Sequence, residues 1–188
     1  MFTMQTINNY SQDDMQKGFE TLSNALEGAL DLFYPKLNFS PSSNAPNDWE
    51  TLKEYKNSLN GEYVLPVFDG ASDSTIYTTK EHNFIFRAWH DAIHLQYDHD
   101  FSLEGELAAG AQQASQLKMF FICENVDAGL KKELDKYQCI ALQALQAETK
   151  GQVSYFMKRG HFPVNQKAFI EACLKHGIDN TIKSKVLF

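Results

Sequence analysis

From Thr78 to His176 apolar residues recur every three or four positions, and that period, more than overall hydrophobicity, decides what this chain can fold into. Phe84, Ile85, Ala88, Ile93 and Leu95 form one stripe, opened by Thr78 and Glu81 at capping-box spacing and closed near Tyr97. Asp98-His99-Asp100 breaks it, and Ser102 can cap a following helix that runs to about Cys123. After a turn around Asp127 to Gly129, Leu134, Tyr137, Ala141, Ala144 and Tyr155 predict one long helix from about Leu130 to Lys158, ended by Gly160 and Pro163. Asn165 opens a last helix to His176, with Gly177 just beyond its end. Upstream, Met15, Phe19, Leu22, Leu26, Leu30 and Phe33 predict a helix over 11–34, capped by Ser11 and followed by Pro35.

Between these stripes the pattern fails. Asn38 to Asn47 holds two prolines, three serines and three asparagines and reads as a loop. Asp48 to Ser58 reads as a short helix, and Glu62 to Phe68 as a short strand or extended run closed by Asp69-Gly70. The tail 178–188 has no readable period. The expected fold is mainly α: a single-domain helical bundle of four to five helices over 1–188, with a core at about 78–176 and an irregular insertion at 36–77 that holds whatever β structure there is.

Charge and composition narrow the function. Acidic residues number 24 and basic ones 17, so 24 − 17 leaves a net charge of −7 and a pI near 5.3. This argues against a groove that tracks nucleic-acid phosphates by bulk charge. No apolar run reaches the roughly 20 residues a membrane span needs, and the start lacks the basic and apolar regions of a secretory signal. The expectation is a cytoplasmic protein. Cys123, Cys139 and Cys173 are odd in number, form no CxxC pair and sit in apolar helical contexts, which reads as buried reduced thiols.

Chemistry concentrates in Phe86 to Asp100. His90 and His94 are four apart on a helix, so both imidazoles leave the same face, one above the other. Two histidines share one metal ion in that way. Asp91 lies about 100° round the helix and suits an outer partner or a base. Glu106 shares the stripe of Leu103, Gly110, Ala114 and Leu117, and Glu148 that of Leu134, Tyr137, Ala141, Ala144 and Tyr155. Both point where a helix buries surface, and a carboxylate there needs a cation, a metal or a raised pKa. A salt bridge to Arg87, Lys150 or Arg159 is the plain explanation for either alone. Together with two histidines they point to a shared divalent-metal site of His90, His94, Glu106 and Glu148. Its nitrogen and oxygen donors suit zinc, iron or manganese. Asp91 or the remaining glutamate would serve as base, and Gln152, one turn after Glu148, would orient substrate or water.

Phe86-Arg-Ala-Trp-His-Asp91, then His94, Phe101, Gly105-Glu106 and Ala109, then Glu148-Thr-Lys-Gly-Gln152, together resemble a domain found in short phage proteins and in the polyvalent proteins of mobile elements. The resemblance covers residues 83–163. Relatives read HDxxGH where this chain has His90-Asp91-Ala92-Ile93-His94. The resemblance implies a phage or prophage origin and a residue set of His90, Asp91, His94, Glu106, Glu148 and Gln152, but no reaction.

The reading that follows is a metal-dependent hydrolase acting on a small molecule or a protein. A zinc-protease version rests on the similarity of HDxxH to HExxH, with Asp100 at a third-ligand spacing. Against it, Asp is a shorter base, and no substrate-binding edge strand is evident upstream. A helical non-haem iron protein is weaker, because no Glu-xx-His leads into His90 or His94. An HD-type phosphohydrolase would need an upstream histidine on another helix, and His82 is too close. The remaining alternative is a non-catalytic phage accessory protein that binds a host factor, its polar cluster only specifying how the helices pack.

Overall fold

The computed structural model describes residues 9–130, 132–184, 186 and 188. Helix α1 (Gln12–Phe33) starts at a full capping box: the Ser11 hydroxyl accepts from the Asp14 amide, and the Asp14 carboxylate accepts from the Ser11 amide. Its stripe of Met15, Phe19, Leu22 and Leu26 is buried completely or nearly so. Each such side chain contributes about 1.5–3 kcal/mol on leaving water. The stripe packs most extensively on α5 (Lys136–Gln146), where Gly18 leaves Ile140 the space that a Cβ would occupy.

Two antiparallel helices complete this core and carry the polar residues. Helix α3 (Lys80–Tyr97) is capped by the Thr79 hydroxyl, one residue later than the sequence spacing suggests. Helix α4 (Leu103–Asp127) is capped by Ser102. Trp89, fully buried at the centre, donates its indole N–H to Gln116 Oε1 at 2.7 Å.

Residues 38–42 correct the loop expectation, and 43–47 keep it. Asn38–Ser42 is strand β1, paired in parallel with β2 (Val64–Phe68), in the register Asn38↔Val64 to Ser42↔Phe68. A two-stranded sheet consists of edges, so Pro41 costs little by lacking an N–H. Parallel pairing requires a crossover, which α2 (Trp49–Lys53) and a 3₁₀ turn (Lys56–Asn60) supply in place of one helix over 48–58. Leu65 and Val67 alternate inward and join Leu52, Ala88 and Leu95 in a second small core against α3.

The long helix expected over 130–158 is three pieces, beginning only at Lys136. A π-helical turn (Ala147–Gly151) separates α5 from α6 (Gln152–Arg159). Within this stretch Thr149 Oγ1 donates to the Leu145 carbonyl at 2.9 Å. Gly110 of α4 lets this turn approach, since a Cβ there would lie 2.8 Å from Thr149 Oγ1. Helices α7 (Gln166–His176) and α8 (Ile178–Lys183) close the chain, the second within the tail that had no readable period. Thus the fold is mainly α with a small β-containing insertion. Among the described residues no helix is long and apolar enough to cross a membrane. Cysteines 139 and 173 are half-buried and buried as expected, but Cys123 is exposed.

Candidate metal centre

The α3–α4 turn creates the site. At Asp98 the backbone turns left-handed (φ 54°) and stops α3, its N–H bonding the His94 carbonyl. The chain then reverses so tightly that a Cβ on Gly105 would collide with the Asp100 carbonyl. This places Glu106, in the first turns of α4, across from the histidine face of α3.

Three donor atoms meet there. His90 Nε2 lies 3.1 Å from His94 Nε2 and 3.2 Å from Glu106 Oε2, and His94 Nε2 lies 3.7 Å from the same oxygen. The outward-facing nitrogens are fixed by what holds the other side of each ring. His94 Nδ1 donates to the His99 carbonyl at 2.8 Å. His90 Nδ1 lies 3.0 Å from Gln113 Oε1, while the Gln113 amide nitrogen donates to the Phe86 carbonyl at 3.4 Å. Both Nδ1 atoms are therefore donors, and both Nε2 lone pairs face the carboxylate. Phe86 stacks on His90, with centroids 6.1 Å apart, and Phe101 meets His94 edge-on at 5.1 Å, so the rings are held by packing as well.

Two lone pairs and a carboxylate at such distances repel unless a cation lies among them. A zinc-sized ion with ligands at about 2.0–2.1 Å sets tetrahedral neighbours about 3.3–3.4 Å apart, and the three edges here bracket that spacing. A proton is the other way to relieve the repulsion. His90 takes one up more readily than an ordinary imidazole: burial opposes this, but the Glu106 hydrogen bond and charge outweigh burial. Glu106 is held down at about 2: burial opposes this, but its contacts with His90 and His94 outweigh burial once a proton is shared among them.

Not every expected residue joins. Glu148 sits on the π turn, outside the triangle whose donor atoms all lie within 4.8 Å of one another. It stands where a π turn replaces the regular helix that the stripe assumed. It makes no ion pair with Arg87, Lys150, Arg159 or any other described residue, and its Oε2 has no hydrogen-bond partner. Burial pushes it up to about 7, against the pull of Gln152, Arg87 and His90. The Gln152 amide nitrogen and the Tyr77 hydroxyl are likewise buried without partners. Asp91 also stands outside the triangle and is raised to about 6, by burial above all. Asp100 is no third ligand: its carboxylate accepts from the Ser102 amide and hydroxyl.

Comparison with family models, with curated proteins and with solved structures returns no match.

A cleft of about 180 Å³ opens beside the triangle, lined by Ala45, Pro46 and Phe68 of the insertion and by Phe86, Arg87, His90 and Asp91 of α3. A larger hollow of about 490 Å³ lies far along the chain, between α7 and α8, and holds none of the candidate residues. Sequence reasoning missed Gln113, the residue that sets the His90 tautomer. Its signal was present: it stands seven residues after Glu106, on the same face of α4.

Proposed function

We propose that the chain is a metal-dependent hydrolase of phage type, with a divalent ion held by His90, His94 and Glu106. The observation that carries this is the facing of two Nε2 lone pairs, 3.1 Å apart, toward one carboxylate oxygen, each ring oriented by a separate acceptor on its far side. Nitrogen and oxygen donors fit zinc, iron or manganese. Such an ion would make a bound water acidic near neutral pH.

The chain's own residues would do the rest. Glu148, raised to about 7 and electrostatically coupled to His90, matches a group that exchanges a proton near neutral pH. Gln152, one turn on, interacts with the Glu148 carboxyl and would orient it or a bound water. Asp91 lines the cleft at His90 and would face an incoming small-molecule or protein substrate. The match of these residues to the phage-domain motif supports the same set.

A second reading keeps the triangle as a structural link in a host-factor binder, supported by the ion pair that a protonated His90 forms with Glu106 at 3.2 Å. Elemental analysis of protein purified without chelators separates the two. The hydrolase reading expects about one equivalent of a divalent ion, lost in His90→Ala. A metal-free protein whose melting does not respond to added zinc, iron or manganese supports the binder.

A further inference from the structure

Arg87 lies on α3 one turn before Asp91 and lines the cleft beside His90. Its Nη1 donates to two main-chain carbonyls, those of Phe68 and Gly70, the latter at 2.8 Å. Its guanidinium lies 5.3 Å from the centre of the Phe68 ring. These contacts fix the plane of the group and use both protons of one nitrogen. The opposite edge, Nε and Nη2, makes no hydrogen bond to the described residues, although the charges of Glu148, Asp91 and Asp69 act on the group. An arginine held on one side and empty on the other presents the two-donor fork that matches a carboxylate or phosphate. The rest of the cleft is apolar at Ala45, Pro46, Phe86 and the half-exposed ring of Phe68, and polar where His90 and Asp91 line it.

We infer that Arg87 is a binding residue for an anionic group, a phosphate or carboxylate on a flat apolar body, that reaches the metal held by His90, His94 and Glu106. The inference rests on the metal reading above and deepens it. Asp69, Asp91 and Glu148 all stand within electrostatic reach of Arg87 and oppose an anion. The divalent ion supplies the missing positive charge, so anion binding depends on prior metal binding. It also gives the insertion at 36–77 a role: its loop after β1 and the end of β2 build the wall that faces α3.

The test is titration calorimetry on zinc-loaded protein with phenylphosphonate and with benzoate, which separate phosphate from carboxylate recognition. Saturable one-to-one binding of at least one probe is expected, and none to the metal-free chain. Arg87→Lys keeps the charge and loses the fork, and should weaken binding at least tenfold. It also loosens the Phe68–Gly70 loop, so Ala45→Asp is the second variant. That change adds a negative charge at the half-buried cleft wall and should weaken the same probe while zinc binds at least as tightly as to the wild type. Wild-type affinity in both variants, or no binding of either probe to a chain that has taken its zinc, overturns the inference and leaves the metal reading standing. A chain that takes up no zinc overturns both.

Discussion

The triangle on α3 and α4 and the π turn after α5 both bury charge-bearing groups, and they solve that problem in opposite ways. At the triangle each Nδ1 has its own acceptor, and Glu106 stands within reach of both imidazoles, so one cation or proton among the three donor atoms completes the set. At the π turn, Glu148 Oε2, Gln152 Nε2 and, nearby in electrostatic terms, the Tyr77 hydroxyl have none. A burial that satisfies its groups holds helices in place. A burial that leaves them unsatisfied costs stability and persists where something else needs the groups. Mutations in the two regions should therefore carry opposite signs.

The largest effect is expected at the satisfied end. His94→Ala removes a fully buried ring, leaves the His99 carbonyl without its donor and should cost about 2–4 kcal/mol, as well as the melting increment from added metal. Denaturant unfolding with and without zinc measures both losses. A variant as stable as wild type would show that the triangle holds nothing together.

Glu148→Gln should go the other way. The folded pKa of about 7 lies above the ordinary 4.5, so the fold favours the neutral carboxyl. The penalty appears as pH rises through that window and is complete above it, where it is on the order of 3 kcal/mol. At pH 8 the metal-free variant should be more stable than wild type by about that amount, and at pH 4 equal to it. The sharpened comparison also concerns pH itself. Asp91, raised to about 6, and His90, raised by Glu106, act in the same direction, so the metal-free chain should lose stability from pH 5 to pH 8. Glu106, held at about 2, acts oppositely, and its stabilisation is lost only as pH falls from about 4.5 toward 2. Melting scans across this range decide whether destabilisation lies on the alkaline side, as expected, or only in acid.

Gly110→Ala tests the seam between the regions. Its Cβ would meet Thr149 Oγ1 at 2.8 Å and Thr149 Cβ at 2.9 Å, so either α4 or the π turn must shift, at a cost of about 1–3 kcal/mol. The smallest effect is expected for Tyr77→Phe. Removing a buried hydroxyl that has no partner should be neutral, or stabilising by up to about 1 kcal/mol, in thermal unfolding without metal. Clear destabilisation would mean that the hydroxyl is satisfied after all, and the contrast between the two regions would narrow.

The difference between the regions also explains what could be read in advance. His90 and His94 were legible because a regular helix turns an i, i+4 spacing into a shared face, and α3 is regular. Glu106 was legible because α4 is regular too. Glu148 was read on a regular helix, whereas it stands on a π turn and outside the three-donor triangle, and the sequence carries no period that announces such a turn. The β1–β2 pairing was hidden because Asn38-Phe-Ser-Pro-Ser42 has turn-like composition, and pairing with a distant strand leaves no local period. The partner of His94 was illegible for a different reason: it is the His99 backbone carbonyl, brought back by the left-handed residue at Asp98, and backbone carbonyls carry no sequence signal.

The claim on which the rest depends is that the His90, His94 and Glu106 triangle takes a divalent cation where the metal-free chain takes a proton. Zinc titration near pH 6.5, run in two buffers of different ionisation enthalpy, counts ions and protons together. One zinc bound per chain, with release of up to about one proton, and loss of that binding in His90→Ala, is the result predicted. Absence of zinc binding, or binding that survives unchanged in His90→Ala, would contradict it.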